Sequence, residues 1–216
     1  MSSEWGNLFV VSAASGAGKS TLVDYVTKRL ENASRVVTCT TRPPRGQERD
    51  GVDYHFLSVE EFERRIAAGD FLEYARVHGD RLYGTSRSAI EPVLARGVDL
   101  FLVIDVQGAA QVRERMPEAV TVFVFPPSYR SLEQRLRERC RLENHYDEAD
   151  LAKRLAHARE EVRRYTEFDY VVVNDDLGRA VEALAGIVIA QRSRPAPQRS
   201  RIEEILKSFG GESSHA

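Results

Sequence analysis

Ser12-Ala13-Ala14-Ser15-Gly16-Ala17-Gly18-Lys19-Ser20-Thr21 follows the apolar run Leu8-Phe9-Val10-Val11 and opens a segment with apolar residues at helical spacing, Leu22, Val26 and Leu30. A buried strand, a glycine-bearing loop and a helix, in that order, form the setting in which a loop holds phosphate. Loop N–H groups and the helix N-terminus present partial positive charge there. In that setting Ala14, Ser15, Gly16, Ala17, Gly18 and Thr21 cradle a nucleotide's phosphates. Lys19 reaches the β and γ phosphates, and the Ser20 hydroxyl ligates Mg²⁺. The usual first glycine of the pattern is Ala13, so the match is one residue short. A plain surface turn at Gly16 and Gly18 would not account for Lys-Ser-Thr opening a helix directly after a buried strand. The chain is expected to bind a nucleoside triphosphate.

Leu100–Ile104, Thr121–Phe125 and Tyr170–Val173 repeat the character of Leu8–Val11, near-continuously hydrophobic as strands buried in a parallel sheet are. Helical spacing lies between them, without an internal repeat. The expected fold is α/β, a phosphate-loop parallel sheet with helices on both faces. Asp105 ends the Leu100–Ile104 strand, where an open α/β sheet places ligand groups. It reads as a site-orienting carboxylate or one that holds Mg²⁺ through water.

The region Thr38–Thr85 has a different composition, rich in Arg, Gly, Asp, Tyr and Thr. Its one clear helix opens with the capping box Ser58-Val59-Glu60-Glu61, carries Phe62 and Ile66 on one face, and stops at Gly69. Alternating segments Asp53–Phe56 and Phe71–Tyr74 suggest a small mixed lobe. Ser128–Arg164 reads as charged helices in which Leu132 and Leu136, then Leu151 and Leu155, share faces. The polar stretch Cys140–Asp150 between them reads as a mobile loop. A linker at Arg192–Ser200 with Pro195 and Pro197 leads to a short helix bearing Ile202, Ile205, Leu206 and Phe209. That stripe is expected to pack on its own domain, with a disordered tail from Gly210. The expected division is one domain over 1–192: core 6–37, 86–127 and 165–192, lobe 38–85, lid 128–164. A linker, helix and tail then occupy 193–216.

Length supports one domain with a substantial core. The net charge of −2 argues for no nucleic-acid or membrane partner. Only four of the 31 basic residues are lysines, Lys19, Lys28, Lys153 and Lys207. Arginine suits a multi-phosphate site, but codon bias accounts for much of such an excess, so each arginine is argued by position. Cys39 and Cys140 are too few for a disulfide framework and lack metal spacing, and His145 near Cys140 adds no second ligand pair. No apolar stretch spans a bilayer, and Met1–Trp5 lacks a signal peptide's features. A soluble, cytoplasmic protein is expected.

Thr38-Cys39-Thr40-Thr41-Arg42-Pro43-Pro44-Arg45, followed by Gly51-Val52-Asp53-Tyr54, narrows the reading. Two arginines three apart in a proline-braced segment make a rigid clamp for an anionic group. With these residues the chain resembles the guanylate kinase family, in particular its bacterial members. The resemblance recurs in order at Thr40–Arg45, Asp53–Phe56, Phe71–Tyr74, Tyr83-Gly84-Thr85, Ile104–Gly108, Pro126–Ser128 and Val173–Leu177.

The resemblance implies that Arg42, Arg45, Tyr54 and Tyr83 hold the phosphate of GMP. It makes Glu73 the reader of guanine, with Thr38 and Thr85 completing the base's hydrogen bonds and Asp105 beside the substrate. Guanine offers two adjacent donors that one carboxylate accepts, whereas adenine would leave a buried carboxylate unpaired, at a cost of about 1–3 kcal/mol. Bland readings stand beside these: core packing with a polar tip for Tyr54 and Tyr83, a surface-strand carboxylate for Glu73. Arg135, Arg139 and Arg154 match lid arginines, against the reading of a solvated helix face. An insertion of about four residues around Arg141–Tyr146 bears on Arg139 and Arg154, and Val103 stands where the family has an acidic residue. By the same resemblance Lys19, Arg45, Arg139 and Arg154 are catalytic, and Arg135 and Asn174 lie on the donor-nucleotide side.

The reaction so implied is ATP + GMP → ADP + GDP with ATP as phosphoryl donor and Mg²⁺ as cofactor, in purine nucleotide metabolism and GMP recycling. dGMP is a further acceptor to be tested, and both a monomer and a homo-oligomer stay open. Two alternatives are a sugar-bisphosphate kinase on the same scaffold, which Glu73 and Thr38 disfavour, and a phosphopeptide-binding module without catalysis. The intact Gly18-Lys19-Ser20 disfavours the module.

Overall fold

β1 (Leu8–Ser12) is buried along its whole length, and strands flank it on both sides. The computed structural model describes residues 5–77, 81–142 and 148–209. In it the main sheet runs β2 (Ala33–Arg35), β7 (Asp99–Val103), β1, β8 (Val120–Phe125), β9 (Tyr170–Val173), and every neighbouring pair is parallel. Val10 lies opposite Leu102 on one side and Thr121 on the other. Burial on both faces explains why these strands read as unbroken apolar runs.

Helices cover both faces. α1 (Lys19–Arg29) and α7 (Leu177–Arg192) cover one, where Leu22, Val26, Leu184 and Val188 meet Phe9, Phe101 and Val122. α3 (Arg87–Leu94) and α4 (Val106–Arg115) cover the other, where Ile90, Leu94, Ala109 and Val112 meet Val10, Leu100 and Leu102. Burying each such side chain is worth about 1.5–3 kcal/mol. The strand order puts the carboxyl ends of β1, β7, β8 and β9 along one edge, where the phosphate loop, Asp105, Pro126 and Asn174 follow.

A second, mixed sheet runs β4 (His55–Phe56), β3 (Cys39–Thr40), β6 (Arg81–Ser86), β5 (Phe71–Val77). Its first pair is parallel and the others antiparallel. α2 (Val59–Ala67) closes it, with Phe62 stacked on Phe71 at 4.2 Å. Ser58 caps that helix by accepting from the Glu61 N–H, while the Glu61 carboxylate accepts from Arg64 and Arg65. α5 (Tyr129–Leu142) and α6 (Glu148–Arg163) form the third unit. Their Leu132, Leu136, Leu151 and Leu155 bury against Ala14 of the phosphate loop.

Three expectations are corrected. α5 continues through Cys140, which is buried with Leu136 and Leu151, so the break between the helices is shorter than Cys140–Asp150. Arg192 ends α7 and α8 (Arg199–Phe209) takes up Arg199 and Ser200, which shortens the linker. The apolar stripe of α8 is left open among the described residues: Ile202, Ile205, Leu206 and Phe209 are 42–79 % exposed. β2 and α3 were not anticipated, because β2 is short and polar and α3 contains Pro92. His145 and the tail from Gly210 lie outside the described residues.

Candidate active site

The phosphate loop is shaped by a conformation and by close neighbours. Gly18 has φ +92°, and a Cβ there would stand 2.6 Å from Asn174 Nδ2, so only glycine fits. Asn174 Nδ2 donates to the Ala17 carbonyl at 2.9 Å, and Arg135 donates to the same oxygen at 3.2 Å. The end of β9 and the helix α5 thus converge on one peptide of the loop. Lys19 Nζ donates to the Ala13 carbonyl at 2.9 Å, which folds the ammonium back across the loop. Ser20 and Thr21 stand exposed on the first turn of α1, which carries no acidic residue. The Ser15 N–H faces Glu161 Oε2 of α6 at 3.4 Å. Burial raises the pKa of Glu161, and the positive charge of Lys19 opposes that rise.

Beside the small sheet, Arg42 is buried at 5 % exposure. Its Nε donates to the Tyr83 hydroxyl oxygen at 3.2 Å, and its fork donates to both oxygens of Glu48 at 2.8 and 2.9 Å. The guanidinium lies 5.2 Å from the Tyr54 ring centre, and Tyr54 meets Tyr83 edge-on at 6.1 Å. Donation from Arg42 and from the Arg45 N–H holds the Glu48 carboxyl down at about 2, and the same contact raises the Arg42 pKa. The Arg45 side chain is exposed. Thr38, Tyr54, Glu48 and Val103 line one cavity of about 340 Å³.

Glu73 follows a bulge in β5 and is buried, with Oε1 accepting from the Thr85 hydroxyl at 2.7 Å. Desolvation pushes its pKa up to about 7; the charge of Asp105 adds to this, and Thr85 and Arg115 oppose it. A Cβ on Gly108 would come within 3.3 Å of Glu73 Oε2, so glycine lets α4 close against the carboxylate. Asp105 is the N-cap of α4, and its Oδ1 accepts from the Gly108 N–H at 2.8 Å. Ser20 and Asp105 are hard oxygen donors at the edge where phosphates would lie. Among the described residues no cluster of three or more His, Cys, Asp or Glu could hold a metal. A donor set this sparse fits Mg²⁺, which keeps waters and bridges phosphates rather than sitting in a protein cage.

Of the three arginines expected in a lid, Arg135 reaches the loop as described. Arg154 is half-buried on α6, seven residues before Glu161 and so on the same helix face. Arg139 follows Arg135 by one turn of α5, and its side chain is outside the described residues. Three residues were not singled out in the sequence: Glu48, Glu161 and Arg164. Arg164 forks onto Glu167 with both contacts at 2.8 Å, which raises its pKa, and the charge of Asp105 adds to that rise. The spacing Arg154–Glu161 was a signal for one of them; nothing in the sequence marked Glu48 among its charged neighbours.

Residues 6–191 match the family model described as guanylate kinase. The chain is similar to the guanylate kinase of Idiomarina loihiensis, 49 % identical over 208 residues, covering 95 % of this chain and 97 % of the other. It is 46 % identical over 207 residues to that of Alkalilimnicola ehrlichii, covering 95 % and 99 %. The crystal structure of guanylate kinase from Anaplasma phagocytophilum superposes with a TM-score of 0.71 at 30 % identity, covering 99 % of this chain and all of that one.

Proposed function

The chain belongs to the guanylate kinase family and catalyses ATP + GMP → ADP + GDP; for that transfer we propose the division of labour set out below. The observation that carries it is the buried Glu73–Thr85 pair, with Thr85 on the same strand, β6, as the Tyr83 that joins Arg42 and Tyr54. Glu73 accepts the ring N–H and exocyclic amine of guanine, and Thr38 and Thr85 complete the base's hydrogen bonds. Arg42, Arg45, Tyr54 and Tyr83 take the acceptor phosphate, whose oxygens compete with Glu48 for the Arg42 fork. Asp105 borders the acceptor.

The phosphate loop, Ala14 to Thr21, holds ATP, with Arg135 and Asn174 on its outer side. The attacking oxygen of GMP is already anionic, so no general base is required. Catalysis consists of in-line positioning and of neutralising charge on the transferring group. Lys19, Arg45, Arg139 and Arg154 supply that positive charge, an effect worth about 10³–10⁵ in rate for arginine closure in phosphoryl transfer. Ser20 directly and Asp105 through water would hold Mg²⁺, which when bound neutralises phosphate charge. Closing the 38–85 lobe and the 128–164 lid would exclude water, the competing acceptor. No helix among the described residues is long and apolar enough to cross a membrane.

Coupled ADP formation measured with GMP, AMP, CMP and UMP in turn tests this reading. GMP alone should turn over, Lys19→Ala should abolish the activity, and Glu73→Gln should relax base choice. Equal turnover of all four, or none with ATP and magnesium present, would refute it.

A further inference from the structure

β5 is an outer strand of the small sheet, so one row of its backbone groups has no strand partner. α4 supplies that partner with side chains. Gln111 Nε2 donates to the Tyr74 carbonyl at 3.1 Å, and Gln111 Oε1 accepts from the Tyr74 N–H at 3.3 Å. One primary amide thereby reproduces the donor–acceptor pair of a neighbouring strand. One turn further along, Arg115 donates to the carbonyls of Phe71 and Leu72 at 3.1 and 3.0 Å. Those carbonyls belong to the bulge between Phe71 and Glu73, where strand pairing with β6 is interrupted. The Arg115 guanidinium also lies 5.6 Å from the Tyr74 ring centre.

Glu73 is thus flanked on both sides by backbone fastened to one helix. That helix is itself fixed: Val106, Ala109 and Val112 are buried, and Asp105 caps its start. Among the described residues the hydrogen bonds to this carboxylate come from Thr85, whose hydroxyl donates to Oε1 at 2.7 Å. The second oxygen lies against Gly108 of α4, where a Cβ would come within 3.3 Å, so its orientation follows where the backbone of β5 stands against that helix.

We infer that Gln111, together with Arg115, is a positioning residue for acceptor specificity, fixing the bulged strand so that both Glu73 oxygens meet the guanine edge. The inference rests on Glu73 being the guanine reader. Its chemical basis is that a two-donor contact is sensitive to carboxylate orientation, whereas a one-donor contact tolerates rotation. IMP is the discriminating probe, since its base keeps the ring N–H and lacks the exocyclic amine.

The experiment measures kcat/KM for GMP and for IMP on wild type, Gln111→Leu, Arg115→Lys and Glu73→Gln, with thermal melting of each. Gln111→Leu should lower the GMP:IMP ratio about three- to tenfold, the scale of one or two hydrogen bonds. The loss should appear in KM for GMP, with kcat and the KM for ATP nearly unchanged. Arg115→Lys, which keeps one donor, should give a smaller fall. It decides the matter if Gln111→Leu does not fold. A lower melting temperature with an unchanged ratio in both variants means that the clamp is merely structural, and the inference fails. If Glu73→Gln itself leaves the ratio unchanged, the guanine-reader assignment fails instead.

Discussion

Replacing Glu73 by glutamine should make the enzyme without nucleotide more stable, and only at neutral and alkaline pH. Burial raises this carboxyl from its ordinary 4.5 to about 7, while in the unfolded chain it returns to the ordinary value. Between those pH values the folded protein holds a proton that the unfolded chain has released. Stability therefore falls as pH rises from about 4.5 to about 7, and is level beyond. At about 1.4 kcal/mol per pH unit, the full displacement is worth about 3 kcal/mol. Glutamine is neutral throughout and still accepts from the Thr85 hydroxyl, so the variant escapes this loss. Urea denaturation of both proteins at pH 4.5, 6 and 8 reads the effect. The difference in unfolding free energy should widen by about 3 kcal/mol across the series, or about 6–12 °C in melting temperature for a chain of this size. GMP should narrow the difference at pH 8, because its two donors stabilise the charged form in wild type only. A difference that stays constant from pH 4.5 to 8 would refute the reasoning, since the ionised carboxylate would then cost nothing to bury.

Glu161→Gln removes a negative charge from the Ser15 N–H, where a phosphate oxygen would bind. ADP affinity, measured calorimetrically without GMP, should tighten about two- to fivefold, the scale of a partly exposed charge interaction. Weaker binding would mean that Glu161 assists the nucleotide instead. Ending the chain after Ser200 removes only exposed residues among those described in α8. The melting temperature should stay within about 2 °C of the intact chain, as surface changes do. A larger fall, accompanied by a drop in mass by light scattering, would mean that the Ile202–Phe209 stripe is covered by a second copy.

The main sheet was legible because burial on both faces leaves a signature in each strand, seen in Leu8–Val11 and Thr121–Phe125. β2 was not: Ala33-Ser34-Arg35 pairs only at an edge and needs no apolar side chain. Cys140 misled for the opposite reason, since one buried position inside a polar run belongs to a helix that the run conceals. In the site, glycines and charged residues with motif spacing could be singled out in advance, and the structure gathers Lys19, Asn174 and Arg135 at the loop and Arg42, Tyr54 and Tyr83 at the clamp. Glu48 and Gln111 could not, because what distinguishes them is the backbone or side chain they face across the fold. Gln111 lies 37 positions from the peptide it holds.

α4 lies along β5 for its length of about 15 Å: Gly108 in its first turn stands against Glu73, and Arg115 in its last holds the Phe71 and Leu72 carbonyls. One rod, buried on the main sheet through Ala109 and Val112, thereby holds the strand that carries Glu73. If the 38–85 lobe closes, β5 must either carry α4 with it or give up the Gln111 and Arg115 contacts.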